Sequence, residues 1–157
     1  MSESMNPALR PEMAQLPTYK AGKKVEPVNG LTAFKLSSNE VSQAPLPSVV
    51  AAIVDAATEI NRYPDPFTTK LIQALSEKFA VPTDQIATGT GSVGVFQQII
   101  QAVAGAGEEV IYAWRSFEAY PIITTIAGAV SVQVPLTNDG QHDLAAMLNA
   151  ITPKTRA

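Results

Sequence analysis

The residues best placed to do chemistry are Gly89-Thr90-Gly91-Ser92-Val93-Gly94, a glycine-rich turn with a serine in its middle. Glycine lets a backbone come close to a ligand, and a serine hydroxyl adds a donor. If the turn opens a helix, the unpaired amides of the first turn point outward and the macrodipole contributes about 0.3–1 kcal/mol toward an anion. A phosphate group suits such a cradle. A tight turn whose glycines merely serve packing explains the same letters equally well. The string also reads as Gly-x-Gly-x-x-Gly, so a nicotinamide-dinucleotide-binding oxidoreductase domain has to be weighed. That domain wants an acidic residue at the end of the next strand, about 20 residues on, for the ribose hydroxyls. Here Glu108 and Glu109 stand at the strand's start, and its end reads Ala113-Trp114-Arg115. Two helical segments also precede the turn, where a dinucleotide domain commonly begins with its strand. The dinucleotide reading therefore ranks second.

Elements on both sides must hold that turn in place. Residues 86–88 read as a short strand entering it, 93–104 as a helix stopped by Gly105 and Gly107, and 109–113 as the next strand. Ser116 can cap a helix through Ala127, Gly128 ends it, 130–134 is a third strand, and Asp143 opens a last helix to Ile151. This alternation predicts an α/β fold with parallel pairing. Upstream, Val49, Val50, Ile53, Val54, Ala57 and Ile60 recur at helical spacing over 48–60, and Asn61-Arg62-Tyr63-Pro64 ends that segment. Asp65 is then a good N-cap with Pro66 at the first helical position, and Phe67, Leu71, Leu75 and Phe79 stripe one face of a second helix before Pro82. Pro17, Gly22, Pro27, Gly30, Pro45 and Pro47 predict extended loop over 16–47, and residues 1–15 read as a flexible arm. The closing Thr152-Pro153-Lys154-Thr155-Arg156-Ala157 reads as the lead-in to a strand that does not arrive. A parallel sheet of two or three strands leaves edges and a face uncovered, so a truncated chain is expected.

Composition narrows the function classes. The 157 residues are enough for one ordinary domain, and 46% hydrophobic residues with 16% charged and a net charge of -3 exclude both a disordered tail and a basic nucleic-acid groove. Zero cysteines exclude disulfides and thiolate metal sites and suit a cytoplasmic location. His142 is the sole histidine, which argues against a His-rich metal site; it precedes a helix cap and is expected to have no catalytic task. The N-terminus has no apolar stretch of signal-peptide type, and the longest apolar run, 49–54, is far short of the roughly 18 residues a membrane span needs.

Several segments together resemble the histidinol-phosphate and aromatic amino-acid aminotransferases, fold-type I enzymes that use pyridoxal 5'-phosphate. They are Leu16-Pro17-Thr18-Tyr19-Lys20-Ala21-Gly22-Lys23, Lys35-Leu36-Ser37-Ser38-Asn39-Glu40, Asn61-Arg62-Tyr63-Pro64, Gly91-Ser92-Val93 and Trp114-Arg115-Ser116-Phe117-Glu118-Ala119-Tyr120. The Gly-Ser-Val turn and the Trp-Arg-Ser-Phe-Glu segment look most like the phenylalanine (aromatic) branch. The resemblance implies an N-terminal arm over 1–47 and, over 48–157, the first part of a mostly parallel-sheet, three-layer cofactor-binding large domain. By it, Gly91, Ser92 and Val93 form the cup for the cofactor phosphate. Many relatives carry Asn, Asp or Glu after that serine, where this chain has Val93 and Gly94, so only backbone contacts are available at those two positions. Phe117 matches the aromatic residue that stacks on the pyridine ring, where many relatives have tyrosine. Tyr63 matches the tyrosine that reaches the cofactor phosphate of the neighbouring subunit, which implies a homodimer. Tyr19 and Asn39, with Glu40, match the substrate entrance. Lys20, Lys23 and Lys24 cluster there and could attract an anionic substrate, although a charge run is usually a solvated face.

The implied reaction moves an amino group between an aromatic amino acid or histidinol phosphate and a 2-oxo acid. The lysine that forms a Schiff base with the cofactor, the aspartate at the ring nitrogen and the arginine for the substrate carboxylate fall, by the resemblance, after Ala157. None of Lys20, Lys23, Lys24, Lys35, Lys70, Lys78 or Lys154 sits at the matching place, so this polypeptide alone is expected to be inactive. A non-catalytic interaction domain is the third reading.

Overall fold

The computed structural model of the protein describes residues 8–18, 25–35 and 38–157. The chain divides into two compact units, one joining its start to Gly89–Ala157, the other comprising Lys20–Thr88.

The first unit is built around strand β1 (Glu109–Trp114), which pairs in parallel with β2 (Val130–Pro135) from Glu109↔Val130 to Trp114↔Pro135. Helices α3 (Gly91–Val103) and α4 (Ala119–Ala127) pack on one face of β1, and α5 (Leu144–Asn149) meets the other. Strand alternation decides which residues go where. Val110 and Tyr112 point into a core with Ile100, Ala104 and Ile123, while Ile111 faces Leu144, Met147 and Leu148 across an apolar cleft. Parallel strands need a crossover, and α4 supplies it. Gly128 ends that helix at φ 82, where a side chain would be strained. At the other end of the chain, Asp143 accepts from the Ala146 amide at 2.9 Å and caps α5 as its sequence predicts.

The α/β fold with a small parallel sheet agrees with the sequence, and several details differ. Residues 152–157 read as the lead-in to a following strand; 154–157 already lie parallel along the free edge of β1. Glu109 donates its amide to the Lys154 carbonyl at 2.9 Å, and Ile111 donates to Ala157 at 2.8 Å. Residues 86–88 are not a strand: Ile86 is extended, but no neighbouring strand among the described residues offers it a ladder. Residues 8–18 contain a 3-10 helix, Pro11–Gln15, packed on α4, with Arg10 donating to the Ile126 carbonyl. A cation at the C-terminal end of α4 meets the negative end of its dipole, so this part of the arm is tethered.

The second unit carries α1 (Pro47–Ala56), continued by a 3-10 turn at Ala57–Glu59, and α2 (Thr69–Phe79). Asp65 does not cap a helix that starts at Pro66. Its carboxylate accepts from the amides of Phe67 at 2.9 Å and Thr69 at 2.8 Å, holding a turn, and the helix begins only after Thr68 at φ 46. Phe67 therefore sits ahead of the helix, 78% exposed, and the apolar stripe starts at Leu71.

Candidate functional site

The glycine-rich turn does open a helix. Gly91 donates its amide to the Gly89 carbonyl at 2.8 Å, and Thr90, at φ -74 and ψ 79, is the centre of this inverse γ-turn. The turn reverses the chain so tightly that the helix starts at Gly91, two residues earlier than the apolar periodicity indicates. Gly91 stands at φ 70, a conformation a side chain resists, and a Cβ there would meet nothing within 4 Å. Gly89 is needed for space: a Cβ would lie 3.0 Å from the Val95 amide nitrogen and 3.1 Å from its Cγ2.

The Thr90 side chain makes no cap to this helix. Among the described residues, no hydrogen bond is made by the amides of Ser92 or Val93 or by the Ser92 hydroxyl, and all three positions from Gly91 to Val93 are exposed. An α-helix start that is neither capped nor covered is electropositive and open to an anion. The short connection from Val103 to Glu109 folds α3 back against β1, which brings the N-terminus of α3 to the carboxyl end of the strand. Ligands of open α/β sheets sit at that end.

Phe117 follows β1 by three residues at the same end. Ser116, expected to cap the next helix, instead donates its hydroxyl to the Ala113 carbonyl at 2.6 Å, and α4 begins at Ala119. That bond folds the strand exit and leaves Phe117 ahead of the helix, 42% exposed, with its ring T-shaped against Tyr120 at 5.5 Å. Uncapped amides and a part-exposed ring can together hold a flat molecule that carries a phosphate.

The other expected site residues are placed separately. Tyr63, in the second unit, is fully exposed in the segment after α1, on the rim of a shallow hollow lined also by Ala56, Glu59, Ile60, Arg62, Pro64 and Asp65. Asn39 is exposed in a left-handed turn at φ 48, next to Ser38 at φ 77. Glu40 is paired with Lys35 at 2.7 Å. Tyr19, Lys20, Lys23 and Lys24 lie outside the described residues. His142 bridges backbone to Leu136 beside the α5 cap.

Over 156 residues the chain is 58% identical to the aromatic amino acid aminotransferase of Streptomyces coelicolor, a span that is 99% of this chain and 43% of that protein. It is 51% identical over 156 residues to the enzyme of the same name from Thermobifida fusca, again 99% of this chain and 43% of the relative. Histidinol-phosphate aminotransferase from Sinorhizobium meliloti, solved in complex with pyridoxal-5'-phosphate, superposes with a TM-score of 0.65 at 32% identity over 70% of this chain and 30% of that one. The chain is similar to the N-terminal part of aromatic amino acid aminotransferases and of fold-type I aminotransferases of known structure. Aspartate aminotransferase from Thermus thermophilus gives a TM-score of 0.66 at 27% identity, covering 76% of this chain and 34% of that one. No family model matches. The chain spans about 43% of the length of the curated aminotransferases it matches and corresponds to their N-terminal part.

Within the first unit, sequence reasoning missed Tyr120 and Phe96. Tyr120 ended a quoted segment without a role, yet its ring touches Phe96 at 4.7 Å, Tyr112 at 5.5 Å and Phe117 at 5.5 Å. The three-residue spacing from Phe117 is the signal that could have found it, since i and i+3 share a face in helical geometry.

Proposed function

We propose that the chain supplies the phosphate cup and the stacking ring of a pyridoxal-phosphate-dependent aminotransferase that takes an aromatic amino acid as donor and a 2-oxo acid as acceptor. The observation that carries this reading is the set of unpartnered donors at Ser92 and Val93, at the start of a helix in a chain 58% identical to an aromatic amino acid aminotransferase. A phosphate dianion fits donors that nothing else claims, and the left-handed Gly91 that aims them is open on its outer side. Bound there, the coenzyme supplies an aldehyde for an amino group and a ring that draws electrons from the substrate carbon. The chain's own part is to bind and orient. The Ser92 and Val93 amides and the Ser92 hydroxyl hold the phosphate, and Phe117 lies against the ring face and sets its tilt. Such a ring contact contributes about 0.5–1.5 kcal/mol beyond area burial.

In the same reading, Tyr63 donates its hydroxyl to the phosphate held by a second copy, making a cytoplasmic homodimer with shared sites. Tyr19 and Asn39 line the substrate entrance, with residues 1–47 as arm and 48–157 as the first part of the large domain. The exposure of Tyr63 and of Asn39 is compatible with such contacts.

The test is an amide-resonance titration of the chain with pyridoxal phosphate, inorganic phosphate and pyridoxal. Pyridoxal phosphate is expected to move the Ser92 and Val93 signals at the lowest concentration, phosphate at a higher one, and pyridoxal not at all. Ser92→Ala should weaken coenzyme binding by about fivefold, the share of one hydroxyl hydrogen bond. Signals at Ser92 and Val93 that ignore all three compounds would sink the reading.

A further inference from the structure

Resting on the coenzyme reading, we propose that Tyr120 is a positioning residue that fixes the tilt of Phe117 and ties it to the helix that supplies the phosphate amides. Phe117 has one ring partner among the described residues, Tyr120, at 5.5 Å and 85°. Its backbone carbonyl also accepts the Tyr120 amide at 3.2 Å. Phe117 lies ahead of α4, 42% exposed, so the edge contact with Tyr120 is the directional contact that sets its ring orientation.

Tyr120 is itself held from two sides. Phe96 meets it at 4.7 Å and 47°, and Tyr112, 5% exposed in β1, meets it at 5.5 Å and 54°. Phe96 belongs to α3 and follows Ser92 by four residues, one helical turn, so it moves with the amides of the cup. A continuous path of contacts runs from cup to helix, to Phe96, to Tyr120, to Phe117. Edge and tilted ring contacts are directional, and a chain of them transmits orientation where an aliphatic side chain would transmit only contact. No hydrogen bond of the Tyr120 hydroxyl is found among the described residues, so the ring and not the hydroxyl carries the role.

The experiment compares the full chain with Tyr120→Phe, Tyr120→Leu, Phe117→Leu and the double variant Tyr120→Leu/Phe117→Leu. Two readouts are taken: Phe117 ring resonances without ligand, and pyridoxal phosphate affinity from the Ser92 and Val93 amides. Wild type and Tyr120→Phe should show Phe117 signals displaced by a neighbouring ring and should bind within twofold of each other. Tyr120→Leu should collapse that displacement and weaken pyridoxal phosphate about three- to tenfold while leaving inorganic phosphate binding unchanged. Its loss should not add to that of Phe117→Leu, because both remove one contact. If Tyr120→Leu does not fold, the ring displacement in wild type and Tyr120→Phe still decides: undisplaced Phe117 signals in those two folded proteins overturn the inference. So does unchanged coenzyme affinity in a folded Tyr120→Leu. Failure of wild type to bind pyridoxal phosphate overturns the coenzyme reading and this inference with it, whereas binding by wild type that Tyr120→Leu retains overturns the inference alone.

Discussion

Gly89 and Gly91 sit two residues apart and are required for different reasons, which makes them separable by the same substitution. Gly91→Ala places a side chain at φ 70 in open space, so its cost is conformational, about 1–2 kcal/mol. Gly89→Ala drives a Cβ to 3.0 Å from the Val95 amide nitrogen, a backbone atom that cannot swing away. The start of α3 must then shift, which adds about 1–3 kcal/mol of overpacking and displaces the amides as a group. Urea denaturation is expected to rank wild type above Gly91→Ala above Gly89→Ala, and phosphate titration to show the deeper loss in Gly89→Ala. Equal denaturation midpoints would mean the turn is held more loosely than its contacts indicate. The chemistry at this scale was legible beforehand, because glycine, serine and a following helical repeat each have a local meaning. The positioning of Phe117 was not. A ring's neighbours depend on which faces meet, and Phe96, Tyr112 and Tyr120 are brought together by packing alone.

Element ends show where local rules compete. Ser116 and Asp65 both look like caps, and in both the side chain holds a turn ahead of the helix instead, through the Ala113 carbonyl in one case and the amides of Phe67 and Thr69 in the other. Asp143 has no such rival and caps as read. Asp143→Ala should accordingly cost about 1 kcal/mol in urea denaturation and raise amide exchange at Ala146. A second element, the edge formed by 154–157, depends on pH. Glu108 accepts Arg156 Nε at 2.7 Å and the Gly105 amide at 2.8 Å, and these bonds, Arg156 first, hold its carboxyl below the usual carboxylate range. A carboxyl depressed in the folded state adds stability above its unfolded pKa of about 4.3, and that stability is lost as pH falls further. Wild type should thus exceed Glu108→Gln in urea midpoint at pH 6, with the gap closing as pH is lowered toward 3. A gap that stays constant would show that Glu108 acts through packing and not through its charge.

At the scale of the whole molecule, apolar surface is the main feature still to be accounted for. Leu144, Leu148 and Ile151 on and after α5 are 66%, 67% and 56% exposed, facing the apolar cleft beside Ile111. An exposed patch of this kind on one face is a site of association. The sequence predicted the helix from Asp143 to Ile151 and an uncovered face on so small a sheet, but not which side chains of the helix stay exposed, since that depends on what else packs there. The expected consequence is self-association of the chain through this face. Sedimentation velocity should show the mean mass rising above 16.6 kDa with concentration, and Leu144→Glu/Leu148→Glu should hold it near that value. Both positions stand on the open side of the cleft, about two-thirds exposed, and glutamate is nearly as good a helix former as leucine, so the urea midpoint should move by no more than about 1 kcal/mol in equivalent stability. If the double variant associates as strongly as wild type, the contact lies elsewhere. The apolar face of α1, where Ile53 and Val54 are 62% and 64% exposed, is then the surface to charge next, with Ile53→Glu as the deciding variant.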